Sequence, residues 1–347
     1  MKGFGMFVHI TGTGSYLPER VVTNDELAAK LDTSNEWIYS HTGICSRHIA
    51  ADDQSTSSIA VNAARAALDS AGLTPDQIGM IIVATSTSDY HSFPSTACLV
   101  QHALGAKNAG AFDLQAACTG FIYALEVARG MMLVNPLPTL VIGAELMSRI
   151  VDWNDRDSCI LFGDAAGAVV LEASDVPGGI WHSILKADGS GSQLLYREGG
   201  SRQLATGPWM QHTLEMKGRP VFNFAVKIFD EVLRGLLSHV GCTFDNLACV
   251  IPHQANARII EAVARRMDAP LEKFFMNMET TGNTSAASIP LALDLAVRSG
   301  RVKDGDLMAM VGFGAGLTYG GLLMRWRGRA GKPTAAQPLV NGDSGNA

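Results

Sequence analysis

The chain has 347 residues, about twice the length of a common domain, so two domains or one large duplicated unit are expected. Hydrophobic residues make up 47% and charged residues 17%, which excludes a disordered protein and allows a sizeable core. The 27 basic and 33 acidic residues leave a net charge of −6, so composition makes no case for a nucleic-acid partner.

The opening MKGFGMFVHITGTG has one lysine and an apolar stretch broken by glycine and His9, a poor signal peptide. GTGSYLP follows a strand and mimics a dinucleotide-binding turn, but Leu17 replaces the third glycine and Pro18 follows. A helix is predicted over 57–72, stopped by Gly72. Strands follow at 80–87 (MIIVATST) and 109–114 (AGAFDL), then a helix over 119–133 and strands at 139–145 and 167–173. Further on come a helix over 219–241, strands at 248–253 (ACVIPH) and 274–279 (FFMNME), a helix over 285–300 and a strand at 307–313. Continuously apolar strands imply burial on both faces, so the fold class is α/β with helices layered over sheets. No run approaches the ~20 apolar residues of a membrane helix. From Arg329 onward, RAGKPTAAQPLVNGDSGNA has little to pack and reads as a flexible tail.

The element order strand, strand, helix, strand occurs twice, from MIIVATS to TLVIGAE and from ACVIPHQ to LMAMVGFG. A duplication is expected, with halves at 1–178 and 179–328 and the tail at 329–347. It would place Cys118 and the segment Asn283–Ser285 at equivalent strand-to-helix corners, and His253 at the end of a strand equivalent to the one bearing Ala84.

Three polar residues then stand at three strand ends. Cys118 opens a helix, where unpaired N–H groups and the helix dipole lower a thiol's pKa and favour the thiolate. A small buried hydrophobe is the commoner role for such a cysteine. His253 ends an apolar strand, where α/β folds tend to place functional groups. Asn283 precedes a helix and could equally be an N-cap. Together, a cysteine nucleophile with His and Asn suits acyl transfer. The six cysteines include no CxxC pair, which argues against a disulfide framework and for a reducing cytoplasm. The nine histidines form no HExxH or comparable spacing, so no metal is expected, and no GxSxG elbow exists.

The segments HQANARI, GNTSAASIPLALD, AACTGF, FGDAAGA and GFGAGLTYG resemble β-ketoacyl-acyl carrier protein synthase III, the condensing enzyme that initiates fatty-acid synthesis. The resemblance runs from GTGSYLPE to about Trp326. It implies a thiolase fold, two similar halves in a five-layer αβαβα arrangement, a homodimer, and no cofactor. Its substrates would be an acyl-CoA primer and malonyl-acyl carrier protein, joined by decarboxylative Claisen condensation. Cys118 would carry the acyl group, His253 and Asn283 would stabilise the enolate, and the backbone N–H groups of Cys118 and Ala315 would form the oxyanion hole.

By the same resemblance, Trp37 and Arg156 would hold the adenine, and Gly218, Phe222 and Asn256 the pantetheine. Phe93 would close the primer pocket from across the dimer, and Arg258, Arg265 and Arg266 would meet the acidic carrier protein. Two departures stand out. His41 and Cys45 occupy usual arginine positions, and Asp157 follows Arg156 where a glycine is usual. Both leave open a paralogue that transfers acyl groups in secondary metabolism. A catalytically dead partner subunit is disfavoured by the presence of Cys118, His253 and Asn283 together.

Overall fold

A computed structural model describes residues 5–198 and 213–327; the tail expected at 329–347 lies outside the described residues. The strands are β1 (Phe7–Tyr16), β2 (Arg20–Thr23), β3 (Ser46–Ile49), β4 (Met80–Ala84), β5 (Gly110–Leu114), β6 (Thr139–Leu146) and β7 (Asp164–Ser174). Then come β8 (Gly179–Ala187), β9 (Leu195–Arg197), β10 (Leu214–Met216), β11 (Cys249–Pro252), β12 (Leu307–Gly314) and β13 (Thr318–Arg325). The helices are α1 (Asn24–Ala28), α2 (Asn35–Thr42), α3 (Thr56–Ala71), α4 (Thr96–Leu104) and α5 (Gly120–Val134). They continue with α6 (Arg156–Cys159), α7 (Gly218–His239), α8 (Ala257–Met267), α9 (Met278–Thr281) and α10 (Ser288–Arg298).

Two large sheets repeat one pattern. The first has the order β5-β4-β6-β7-β1, the second β11-β12-β13-β8. β4 runs parallel to β5 and β6, and the steps to β7 and β1 are antiparallel. In the second sheet β11 is parallel to β12, and the steps to β13 and β8 are antiparallel. The counterpart of β5 is reduced to a single parallel bridge between Phe274 and Val250. The strand expected at 274–279 is therefore corrected. After Phe275 N–H donates to Val250 O at 2.9 Å, the chain leaves the sheet edge for the short helix α9.

The sheets and helices form five layers. Ile59, Ala63 and Ala67 of α3 pack on Ile81, Val83 and Ile142 at the outer face of the first sheet. Phe121 and Leu125 of α5, with Ile289 and Leu293 of α10, fill the middle layer between Val141 and Ile251 of the two sheets. Phe229 and Leu233 of α7 and Val263 of α8 cover Val250 and Val311 outside the second. Each such buried side chain contributes about 1.5–3 kcal/mol relative to exposure. Local signals agree with this packing. Ser55 caps α3 by accepting from Ser58 N–H, and Gly72 ends it at φ 65°; loss of the serine cap would cost about 1 kcal/mol. The segment Ala117–Val134 is long and apolar enough for a membrane span, yet it is the middle layer of this fold.

The two corners have the same form. A 3-10 turn, Ala117–Thr119, precedes α5, and another, Ser285–Ala287, precedes α10. Each opens on a left-handed residue, Ala117 at φ 46° and Ser285 at φ 50°. Non-glycine residues held there cost of order 1–3 kcal/mol and persist where packing over-determines them.

Candidate active site

Cys118, His253 and Asn283 line one cavity of about 1450 Å³, and all three are at least nine-tenths buried. Each reaches it from a strand end or a turn at the inner edge of the two sheets.

The electrostatics of Cys118 differ from the sequence expectation. Burial pushes its thiol up to about 12, and the nearby Glu145 carboxyl acts in the same direction. A hydrogen bond from Ser285 and the local backbone N–H lower it, as expected at a helix start, but burial outweighs them. The resting group is a neutral thiol, not the thiolate favoured by the dipole alone.

His253 is a neutral imidazole. Burial pushes it down to about 3. Its Nδ1 lies 2.7 Å from Ser288 Oγ, which also accepts weakly from Gln254 N–H at 3.5 Å. The serine hydroxyl can donate to Nδ1, the arrangement that leaves the ring proton on Nε2. Phe313 packs edge-on at 5.2 Å and limits ring rotation. Asn283 is not the N-cap, a position held by Thr284, but its Oδ1 accepts locally from Ser285 N–H at 2.9 Å. With the oxygen so used, Nδ2 is the donor left for the cavity. The result is two uncharged N–H donors beside a thiol.

Ala315 lines the same cavity. Thr318 Oγ1 lies 3.0 Å from Ala315 O, 2.9 Å from Ala116 O and 3.1 Å from Thr119 Oγ1. One hydroxyl therefore ties the loop bearing Ala315 to the turn bearing Cys118. Gly314 makes this approach possible, because a Cβ there would lie 2.8 Å from Cys118 N.

At the cavity mouth stand Trp37, His41, Asp157, Gly218, Phe222 and Asn256. His41 stacks on Trp37 with centroids 4.2 Å apart, and Arg156 Cζ lies 4.8 Å from the indole centroid. Arg156 also donates to Asp32 O at 3.0 Å. Asn256 spends both ends of its amide on protein: Oδ1 caps α8 through Arg258 N–H, and Nδ2 donates to His41 O. Cys45 lies apart from the cavity lining, its thiol 3.7 Å from Glu279 Oε1. Phe93 is 85% exposed and does not line this cavity. The arginines on α8 are partly neutralised: Arg258 bonds Glu261 at 2.8 Å and Arg266 bonds Asp230 at 2.9 Å. Arg265 is the most exposed of the three and lies 3.9 Å from Glu261.

Sequence reasoning missed Glu145, Ser285, Ser288 and Thr318 as site residues. Their signal was a polar side chain inside an apolar run, as in SAASIPLALD and VIGAELM, which pattern rules treat as noise at the end of an element.

Family models described as 3-oxoacyl-[acyl-carrier-protein (ACP)] synthase III and its C-terminal part match residues 112–189 and 237–326. The chain is 51% identical over 323 residues to β-ketoacyl-[acyl-carrier-protein] synthase III of Xanthomonas campestris, covering 92% of this chain and 99% of that protein. The crystal structure of 3-oxoacyl-[acyl-carrier-protein] synthase III from Aquifex aeolicus matches with a TM-score of 0.86 at 45% identity, over 92% of this chain and all of that one (100%). The priming β-ketosynthase of the R1128 polyketide pathway matches with a TM-score of 0.86 at 40% identity, over 92% and 96% of the two chains. With near-complete coverage and about half its residues shared, this chain belongs to the β-ketoacyl-[acyl-carrier-protein] synthase III family.

Proposed function

We propose that the chain catalyses decarboxylative condensation of an acyl-CoA primer with malonyl-acyl carrier protein, giving a 3-ketoacyl-acyl carrier protein at the start of fatty-acid synthesis. The observation that carries this reading is the pairing of a cysteine with two neutral N–H donors in one cavity. Cys118 Sγ attacks the primer thioester, and the backbone N–H groups of Cys118 and Ala315 stabilise the oxyanion. CoA leaves, and the acyl group stays on sulfur. Malonyl-acyl carrier protein then loses carbon dioxide, and its enolate oxygen accepts from His253 Nε2–H and Asn283 Nδ2–H. An imidazolium is not needed, because departing carbon dioxide generates the carbanion. That carbanion attacks the acyl-cysteine and expels the thiolate. Preorganised donors of this kind contribute roughly 10²–10³ in rate each.

In this reading the half 1–178 carries the nucleophile and the half 179–328 the enolate donors. Trp37 and Arg156 hold the adenine; the 4.8 Å between them is too little for a base, so Arg156 moves aside on binding. Gly218, Phe222 and Asn256 flank the pantetheine arm. Arg265, with Arg258 and Arg266, meets the acidic carrier protein. The enzyme acts as a cytoplasmic homodimer without a cofactor. Support for the dimer is the edge strand β5, paired on one side by β4, and the exposed Phe93, placed to enter a second copy's primer pocket.

Intact-mass measurement after mixing with a panel of acyl-CoAs tests the reading. Acylation of Cys118, discharged by malonyl-acyl carrier protein and abolished in Cys118→Ala, is the expected result. Acylation that persists in Cys118→Ala would sink it. Similarity to the polyketide priming enzyme, with His41 and Asp157 at the mouth, supports a second reading, priming in secondary metabolism. The preferred acyl chain in the same experiment separates the two.

A further inference from the structure

Glu145 has no part in the scheme above. It lies near the end of β6, fully buried, and every polar group around it donates. Thr87 Oγ1 lies at 2.7 Å, Ser285 Oγ at 3.0 Å, Ser86 N at 3.1 Å and Thr85 Oγ1 at 3.3 Å. An isolated buried carboxylate is expensive, and hydrogen bonds alone could be satisfied by an uncharged amide. Its position is more informative. The turns Ala117–Thr119 and Ser285–Ala287 pack directly on each other, and Ser285 and Cys118 line the same cavity. The Ser285 hydroxyl donates to Glu145 at 3.0 Å, and from the neighbouring turn it favours the charged form of the Cys118 thiol.

We propose that Ser285 and Glu145 form a two-step proton path that takes the proton from Cys118 during primer loading and returns it during condensation. The proposal rests on Cys118 being the nucleophile. In the resting state the chain runs S–H to Ser285 Oγ–H to the Glu145 carboxylate. On attack, the S–H proton moves to Ser285 Oγ, whose own proton moves to Glu145 Oε1. The Sγ–acyl bond forms, the CoA sulfur–carbon bond breaks, and the CoA thiolate takes a proton from solvent. In condensation the acyl–Sγ bond breaks, and the expelled thiolate recovers its proton from Glu145 through Ser285. Every hydrogen bond is kept and only its direction reverses.

The path gives the buried thiol a cheap route to reactivity. Thiol with carboxylate and thiolate with carboxylic acid both carry one negative charge, so activation adds no charge to the pocket. Burial raises both groups, and the donors gathered on Glu145 act the other way, favouring its charged form. The other titratable group at this end of the cavity is His253, from β11, a neutral imidazole bonded to Ser288. Asp89 also lines the cavity and is held by Ser57 and Thr96.

The test is the rate of iodoacetamide alkylation of Cys118, followed on its own peptide by mass spectrometry, against pH. Internal proton transfer makes the wild-type rate nearly flat between about pH 7.5 and 9. Glu145→Gln removes the acceptor, so its rate should be slower at pH 7.5 and climb about tenfold per pH unit. Ser285→Ala should do the same while leaving the Glu145 contacts to residues 85–87, and it decides the matter if Glu145→Gln does not fold. A wild-type rate that itself climbs tenfold per unit, or variant profiles parallel to a flat wild type, would overturn the path. Alkylation needs neither acyl-CoA nor carrier protein, so that failure leaves the condensing reading standing.

Discussion

Gly314→Ala tests the seam between the two halves. The new Cβ would lie 2.8 Å from Cys118 N and 2.9 Å from Cys118 Cβ. Unstrained carbon contacts need about 3.5 Å, so the turn at Cys118 and the end of β12 must separate by roughly 0.6 Å. Both backbone donors proposed for the oxyanion are carried by these two pieces, and Thr318 ties them together. A misplacement approaching 1 Å at a reacting centre costs about 10²-fold. Overpacking of this kind destabilises by roughly 1–3 kcal/mol. Acyl loading from acetyl-CoA should therefore fall about 10²-fold in single-turnover mass spectrometry, with a modest fall in thermal midpoint. Decarboxylation of malonyl-acyl carrier protein should change far less, since His253 and Asn283 are anchored elsewhere, by Ser288 and Ser285 N–H. Loading within twofold of wild type in a folded variant would refute the claim that this contact sets the oxyanion geometry.

His253→Ala and Asn283→Ala should still accept an acyl group on Cys118 but lose malonyl-acyl carrier protein decarboxylation by roughly 10²–10³-fold each; equal loss of both half-reactions would count against the division of labour. Burial holds the His253 imidazole down to about 3, so decarboxylation should show no limb near pH 6.5, and a limb there would mean that the ring titrates. The unfolded imidazole does bind a proton below about 6.5, so its stabilising contribution is full above that pH and declines as pH falls toward 3. Denaturant melts should accordingly show wild type losing more stability than His253→Asn between about pH 7 and 5. At the mouth, His41→Arg with Asp157→Gly should lower the acyl-CoA KM with little change in kcat. The gain should shrink as salt rises, given a Debye length of ~8 Å at physiological strength; a KM that stays flat at low salt would remove these positions from CoA binding.

Much of this was legible in the chain itself, and the failures have physical causes. The helix over 57–72 carried its own stop in Gly72, and the strands at 80–87, 139–145 and 307–313 each held an apolar run of four or more residues, so the layers followed; the polar end Thr85–Thr87 of the first falls outside β4. FFMNME has the composition of a strand, but one bridge from Phe274 is all it makes. Gln254 Oε1 draws Asn277 N–H inward at 3.1 Å, and the chain turns to deliver Asn283 to the cavity. β13 escaped notice because adjacent glycines look like a breaker; there Gly320 and Gly321 admit Ile184 O and the Val232 side chain at 2.4 and 2.7 Å from where a Cβ would sit. Cys118, His253 and Asn283 stood out by their positions. The state of Cys118 did not, because a dipole can be read from a helix start whereas desolvation depends on everything packed around it.

The shortened edge of the second sheet bears on how many copies can assemble. An unpaired strand edge is a template for another chain, and a duplicated fold with two such edges could add copies without end. Here the edge beyond β11 is met by a single bridge at Phe274, and β1 and β8 lie against each other between the halves. That leaves β5. A strand edge that pairs with its own copy about a two-fold axis is used up by that pairing. If the proposed dimer pairs through β5, the partly covered edge at β11 gives it no equally open edge in the second sheet from which to extend.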